Sequence, residues 1–516
     1  MKRRDFIKNI GMAGSAVAIS TTIPTAMAAS ISTSTTKRTN ASPKRTPLDG
    51  IAMANLVRTG QATPKELAQE AIEKIKLTNG TINAVVNERF DAALKNANNI
   101  NKNAPFAGVP LLVKDCVDVA GMPSTNGSLL LQNNIPQQSS DFVVACETAG
   151  FNVLGMTHSP EFTSSASTES ILFGTTRNPW NLERSSGGSS GGSGAAVAAG
   201  YTPIVHGTDG GGSCRIPASM CGIFGYKPSR NLLISGAVGT DDFVLTHSSF
   251  MSRSVRDTAL AASLTENHVR SNNKHRRVPL GYVTQPIEKK LRIGVSMKNM
   301  FGDMPDTETQ NAMTNTIKIL LNLGHEVIEV TNPVRGPEFM HNFTAVFGSR
   351  LGQLGKMVEA QTKQKLEDSK ILGWQTVGWI REFEHHASKN SKFVEQGFAY
   401  QQALDAQMND QFYKSIDVWL TPVTPDKSHD HTLTNPNLNS DFGIFKEQSN
   451  RALSYTPIAN MADNPSISVP LYWTRTGLPI GSMFSTARGN DRTLFGLAYE
   501  LENASPWAYK TAPHFV

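Results

Sequence analysis

The sequence predicts an α/β protein: a single large domain with a central mixed β-sheet covered by helices on both faces. Three observations predict it. Short apolar runs of strand length alternate with longer amphipathic runs of helical period along the 516 residues. Residues 291–330 read as a complete β-α-β unit: Leu291–Ser296, a helix around Asp306–Leu323, then Glu326–Val330. Hydrophobic residues make up 39% of the chain, enough to build the core that such a sheet needs.

In chain order, residues 1–28 read as a twin-arginine signal peptide. Lys2-Arg3-Arg4-Asp5-Phe6-Ile7-Lys8 is the basic pattern, Gly11 to Ile23 a soft apolar stretch, and Ala26-Met27-Ala28 a cleavage site. Cleavage after Ala28 and export to a bacterial periplasm are expected, with the twin-arginine machinery as the precursor's partner. That stretch is rich in Ser and Thr, and no other segment approaches ~20 apolar residues, so no stable membrane span is expected. Residues 29–50, rich in Ser, Thr and Lys, form a linker, and residues 51–516 form the domain.

A helix starts at Thr63-Pro64-Lys65-Glu66, with threonine as N-cap, proline in the first turn and glutamate placed for a capping box. Its apolar face is Leu67, Ala71, Ile72 and Ile75. Leu111–Val113 is a buried strand that delivers Lys114 to its end. Asp141–Ala149 is a helix, Asn152–Met156 the next strand, and Pro203–His206 a strand feeding a glycine loop. Ser466–Leu471 and Pro479–Phe484 are two further strands, closed by a helix from Asp491 to Asn503.

Three segments carry chemistry. They are Val109–Asp115 with Lys114, the run Gly187-Gly-Ser-Ser-Gly-Gly-Ser-Gly194, and Gly207-Thr-Asp-Gly-Gly-Gly-Ser213. Taken singly, a Gly/Ser run reads as a flexible loop and a strand-end lysine as a solvated charge. Together they suggest two serines and a lysine meeting at one site. A serine hydroxyl needs a base to take its proton. Burial lowers a lysine's pKa and makes the neutral amine available for that task. Backbone N–H groups around Gly210, Gly211 and Gly212 can gather beside Ser213 as a developing oxyanion requires.

These segments resemble the amidase signature family, as do Cys221-Gly-Ile-Phe-Gly-Tyr-Lys-Pro-Ser229, Gly155–Phe162 and Phe173–Trp180. The intervals agree: 24 residues separate Ser189 from Ser213, and 75 separate Lys114 from Ser189. The resemblance runs from about residue 50 to the C-terminus, with a signature core at about 105–235. It implies an amidohydrolase cleaving the C–N bond of a small carboxamide, peptide amide or cyclic amide. It further implies Ser213 as acyl-enzyme nucleophile, Ser189 as proton relay after a cis Gly188–Ser189 bond, and Lys114 as base. Gly210, Gly211 and Gly212 become the oxyanion hole, with Ser190, Asp209 and Arg215 as supporting residues. No metal and no cofactor is called for. The pattern from Gly477 to Trp507 resembles members acting on amino-acid-derived or cyclic amides, 6-aminohexanoate cyclic-dimer hydrolase among them. Residues 335–450, where the resemblance is weakest, are expected to shape the substrate site. Most aromatics there, from Phe339 to Tyr400, should pack the core, and one or two should line an acyl pocket.

Met156, His158 and Cys214 depart from the family pattern, and His158 reads as a surface-loop residue. Gly187–Gly191 also fits the nucleophile elbow of α/β-hydrolases, but a polar loop, not a strand, precedes it. No Gly-Lys-Ser/Thr closes the glycine run, which excludes a phosphate-binding loop. His429-Asp430-His431 and His385-His386 lack a third ligand at metal spacing and read as solvated. The four cysteines, Cys116, Cys146, Cys214 and Cys221, read as free buried thiols. Half of the formal charge of +6 belongs to the signal segment, and the basic cluster at Arg270–Arg277 has no aromatics, so no nucleic-acid partner is implied. Two alternatives remain: the amidase subunit of a glutamyl/aspartyl-tRNA amidotransferase, and a catalytically inactive binding protein of the same fold.

Overall fold

Thr63 opens helix α1 (Pro64–Ile82) with both halves of the capping box: the Glu66 N–H donates to Thr63 Oγ1, and the Thr63 N–H to Glu66 Oε2 at 2.8 Å. Leu67, Ala68, Ala71, Ile72 and Ile75 are buried, so the apolar stripe read from the sequence faces the core. The computed structural model describes residues 47–235, 245–268, 279–438 and 440–516. The signal segment, most of the linker and the basic cluster at Arg270–Arg277 lie outside them. Leu48–Val516 forms one compact unit.

The frame is an 11-stranded mixed sheet. In chain order its strands are β1 (Val85–Glu88), β2 (Pro110–Lys114), β3 (Asn152–Thr157), β4 (Ile204–Asp209), β5 (Phe224–Lys227) and β6 (His247–Ser252). They continue with β7 (Arg292–Val295), β8 (Glu326–Glu329), β9 (Val418–Pro422), β10 (Ser466–Trp473) and β11 (Pro479–Ser485). Their order across the sheet is β1-β3-β2-β4-β6-β5-β10-β11-β9-β7-β8. β2 runs parallel to both β3 and β4, and β7 parallel to β8 and β9. The remaining pairs are antiparallel.

After α1, the helices that bear on the site or complete its frame are α2 (Gly191–Ala198), α3 (Arg215–Cys221) and α4 (Thr307–Asn322). They are followed by α5 (Gly336–Thr362), α6 (Trp374–Lys389) and α7 (Phe393–Asp410). β7, α4 with the Asp306 side chain as its N-cap, and β8 make the predicted β-α-β unit.

The sheet's central strands are buried along their length, β2, β3, β4 and β6 without a single exposed residue, as strands covered on both faces must be. Helix α2 is also wholly buried and packs Ala195, Ala196 and Val197 into the same cluster as Leu112, Leu154 and Val205. Its small residues explain the Gly/Ala composition after Ser190: only small side chains let a helix sit this deep. Residues 335–450 do more than shape a substrate site. β9 lies inside them and pairs with both β7 and β11 in the main sheet, while α5, α6 and α7 are their three longest helices. No helix of the described residues is long and apolar enough to cross a membrane.

Candidate active site

Parallel pairing of β2 with β4, in register Leu111↔Ile204 and Leu112↔Val205, brings the C-terminal ends of both strands to one edge. Lys114 ends β2, and Thr208 and Asp209 end β4. The Lys114 backbone N–H donates to His206 Nδ1 at 3.2 Å, which fixes the strand end. The turn before α2 supplies Ser189 through a cis Gly188–Ser189 bond. A β-carbon on Gly188 would collide with the backbone of Ser167, so the turn closes only with glycine there.

Lys114 is 0% exposed, and its Nζ lies 2.7 Å from Ser189 Oγ and 2.8 Å from Thr208 Oγ1. Among the described residues its amine therefore bonds two hydroxyls and no carboxylate. Burial lowers its pKa from the ordinary lysine value. The nearby Cys116, Cys214 and Asp209 oppose that shift without reversing it. Once deprotonated, the amine can accept from the Ser189 hydroxyl while still donating to Thr208, the orientation a base requires.

Ser213 is half-buried, and a cavity opens onto it. Its carbonyl accepts the Ser190 N–H at 3.3 Å. Ser190 Oγ in turn donates to Thr208 O at 3.1 Å and accepts the Thr208 N–H at 3.2 Å. Ser190 thereby ties both serine loops to β4. Ser189 and Ser213 line one cavity, but no hydrogen bond joins their hydroxyls among the described residues.

The loop between β4 and α3 is braced by a buried ion pair. Arg215 Nη2 and Nε donate to the Asp209 carboxylate at 2.8 and 2.9 Å, with both side chains 0% exposed. Burial alone would raise the Asp209 pKa. The Arg215 charge and hydrogen bonds from Arg215 and Asn460 overcome it and hold the carboxyl well below the usual range. Asp209 also takes the Gly212 N–H at 2.8 Å and the Cys214 N–H at 3.1 Å. This departs from the expected oxyanion hole. The Gly212 N–H is committed to Asp209, while the N–H groups of Gly210 and Gly211 bond no partner among the described residues. Gly212 is needed for another reason: its φ is +131°, and a side chain there would strike Thr456.

Beside these groups lies a cavity of about 780 Å³, measured with its open mouth. Ser189, Thr208, Gly210, Gly211 and Ser213 form its floor, and α5 and α6 supply Phe343, Phe347 and Trp379 to its wall. Three aromatics of the 335–450 region thus reach the cavity, where one or two were expected. Phe339, Phe383 and Phe393 pack the core instead.

Two residues carry no sequence signal of a place in the site. Thr208 is visible only as the neighbour of Asp209. Glu161 sits in the Pro160-Glu161-Phe162 stretch without a role. It is a half-buried carboxylate that accepts Ser128 Oγ–H at 2.6 Å, the Gly373 N–H at 2.8 Å and the Thr376 hydroxyl. Glu161 caps the N-terminus of α6, which has no side-chain cap of its own, and so fixes the helix that carries Trp379. Burial pushes its pKa up, and these hydrogen bonds hold the shift in check.

Several expectations are overturned. His158 is not a surface residue: it is 0% exposed, with Nδ1 2.8 Å from Thr176 Oγ1 and Nε2 3.0 Å from Ser170 Oγ. Burial lowers its pKa to about 3, so it serves as a neutral hydrogen-bonding strut. His431 is buried as well, with Nε2 3.2 Å from Arg177 Nη1, so it is not solvated, while His429 and Asp430 are half-exposed. All four cysteines are free, but Cys116 is only half-buried, with Sγ 3.7 Å from Thr208 Oγ1.

Known proteins resemble the chain over most of its length. The sequence profile described as Amidase matches residues 66–495. The chain is 32% identical to a lipoamidase of Enterococcus faecalis, over 88% of this chain and 63% of that longer protein. It is 30% identical to the 6-aminohexanoate-cyclic-dimer hydrolase of Paenarthrobacter ureafaciens, over 89% of this chain and 95% of that one. A solved structure of 6-aminohexanoate cyclic dimer hydrolase complexed with substrate superposes with a TM-score of 0.81 at 28% identity, covering 91% of this chain and 99% of that one. Identity falls to 28% for a glutamyl-tRNA(Gln) amidotransferase subunit of Chromohalobacter salexigens, over 88% of this chain and 96% of that one.

Proposed function

Because the chain belongs to the amidase signature family and is an amidohydrolase of carbon–nitrogen bonds, we propose that Ser213 is its nucleophile, Ser189 its proton relay and Lys114 its base. The observation that carries this reading is the buried 2.7 Å contact between Lys114 Nζ and Ser189 Oγ. Neutral Lys114 takes the Ser189 proton as Ser189 takes that of Ser213, and Ser213 Oγ attacks the amide carbonyl. The N–H groups of Gly210 and Gly211 receive the oxyanion; one such donor is worth about 3 kcal/mol in the transition state. Proton return through Ser189 releases the amine, and water then cleaves the acyl-enzyme by the same relay.

Similarity to a lipoamidase and to a cyclic-dimer hydrolase supports a small or cyclic amide as substrate. The amidotransferase alternative has weaker support. A fluorophosphonate probe tests the nucleophile: wild type is expected to be labelled and Ser213→Ala to be neither labelled nor active. A folded wild type that stays unlabelled would remove Ser213 from the mechanism.

The destination of the protein is a second proposal. The Lys2–Lys8 pattern and the small residues at Ala26–Ala28 support twin-arginine export and a periplasmic enzyme. Edman sequencing of the protein recovered from the periplasmic fraction should begin at Ala29. An unprocessed cytoplasmic protein would refute export.

A further inference from the structure

The cavity beside Ser213 constrains the chemistry of the substrate. None of the 19 described residues lining it is Asp, Glu, Lys, Arg or His. The nearby half-buried carboxylate of Glu161 is not among them and is engaged by Ser128, Gly373 and Thr376. One face of α5 supplies Met340, Phe343, Phe347 and Leu351, at the spacing of successive helical turns. The Phe343 and Phe347 rings lie 5.7 Å apart and within 6° of parallel, so they present a continuous apolar surface. Trp379 faces the cavity with its polar group already used, since Nε1 donates to Ser164 O at 3.1 Å.

This wall begins at the reacting centre. A methyl group on Gly211 would stand 3.4 Å from Phe343 Cζ and 3.6 Å from Leu453 Cδ2. The group attached directly to the scissile amide therefore meets hydrocarbon as soon as the carbonyl oxygen reaches the Gly211 N–H. Among the described residues, the remaining polar lining is serine and threonine hydroxyls and backbone. These can pair a neutral amide but cannot neutralise an ion, and an ion enclosed without a counter-charge is strongly disfavoured.

We infer, resting on the Ser213 reading, that the substrate is an uncharged amide whose cavity-bound group is apolar. Cyclic amides qualify because ring closure leaves neither a free ammonium nor a free carboxylate. Their linear, zwitterionic products do not qualify, so hydrolysis itself converts a ligand of this cavity into a poor one and favours release.

Two sets of amides of constant length test the inference. Heptanamide, 6-aminohexanamide and 5-carboxypentanamide vary the acyl end. N-pentylacetamide and its ω-ammonium and ω-carboxylate analogues vary the amine end. In at least one set the neutral member is expected to show a kcat/KM higher by about 100-fold or more. Phe347→Asp should cut that preference over the ammonium analogue at least about tenfold; the wild-type panel decides the matter alone if that variant does not fold. Fluorophosphonate labelling of the same preparation separates the two possible failures. An unlabelled enzyme overturns the Ser213 reading and the inference with it. A labelled enzyme that turns over charged and neutral members alike in both sets, or leaves both neutral amides intact, overturns the inference alone.

Discussion

Replacing Lys114 with methionine is expected to slow acylation about a thousandfold or more, in the range of losing a positioned general base, while the protein stays folded. The reasoning is electrostatic. Lys114 is wholly enclosed, its Nζ bonds the hydroxyls of Ser189 and Thr208, and burial lowers its pKa. Methionine fills similar space without an amine, so Ser189 loses its acceptor and Ser213 its route for the proton. The wild-type rate should rise with pH as the Lys114 ammonium deprotonates, and the variant should lack that limb. The stability comparison has a fixed sign. A lysine with a depressed folded pKa binds more protons when unfolded, so wild type gains stability relative to Lys114→Met as pH climbs from the folded value towards ~10.4. Acylation kinetics and urea unfolding across that range measure both effects. Turnover of Lys114→Met within a few-fold of wild type would remove lysine from the mechanism. A stability difference independent of pH would mean that the amine is charged in the folded protein.

How much of this is legible in the sequence depends on the distance over which each contact acts. The α1 cap is plain because Thr63 and Glu66 satisfy each other within one turn. Lys114 can be placed at a strand end because its apolar run is local, and the β-α-β unit because its periods change within 40 residues. Strand β9 is hidden by position: Val418–Pro422 sits among helices in sequence but pairs with β7 and β11 in space. Glu161 caps a helix 212 residues away, a contact with no periodic trace. His158 misleads for a related reason. A histidine in a polar loop looks exposed until Thr176 and Ser170 fold over it and satisfy both ring nitrogens. Motif and spacing are enough to group Lys114, Ser189 and Ser213. That Phe343 abuts Gly211 is not readable, because the helix carrying it packs against a loop more than 100 residues upstream.

Breaking the Asp209–Arg215 pair is expected to produce the largest loss of stability, roughly 3–5 kcal/mol for either Arg215→Met or Asp209→Asn alone. Each ion is wholly buried and multiply bonded, so removing one leaves the other without its counter-charge. Arg215 also donates from Nη1 to Thr456 O at 2.8 Å and from Nη2 to Asn460 Oδ1 at 2.7 Å, which pins the 456–460 segment over the nucleophile loop. Loss of the pair should therefore lower kcat in whatever protein remains folded, through slack in the backbone at Gly212 and Cys214. The double variant should be less damaged than the two single changes summed, because neither ion is then stranded. The acid response follows from the depressed Asp209 pKa. Its contribution is present above the unfolded value of ~3.9 and lost only as pH falls through the lower folded value. Asp209→Asn should remove that part of the acid-unfolding curve. Equal unfolding free energies for wild type and both single variants would show that the loop is held by its backbone bonds alone, and that the charges serve the transition state instead of the fold.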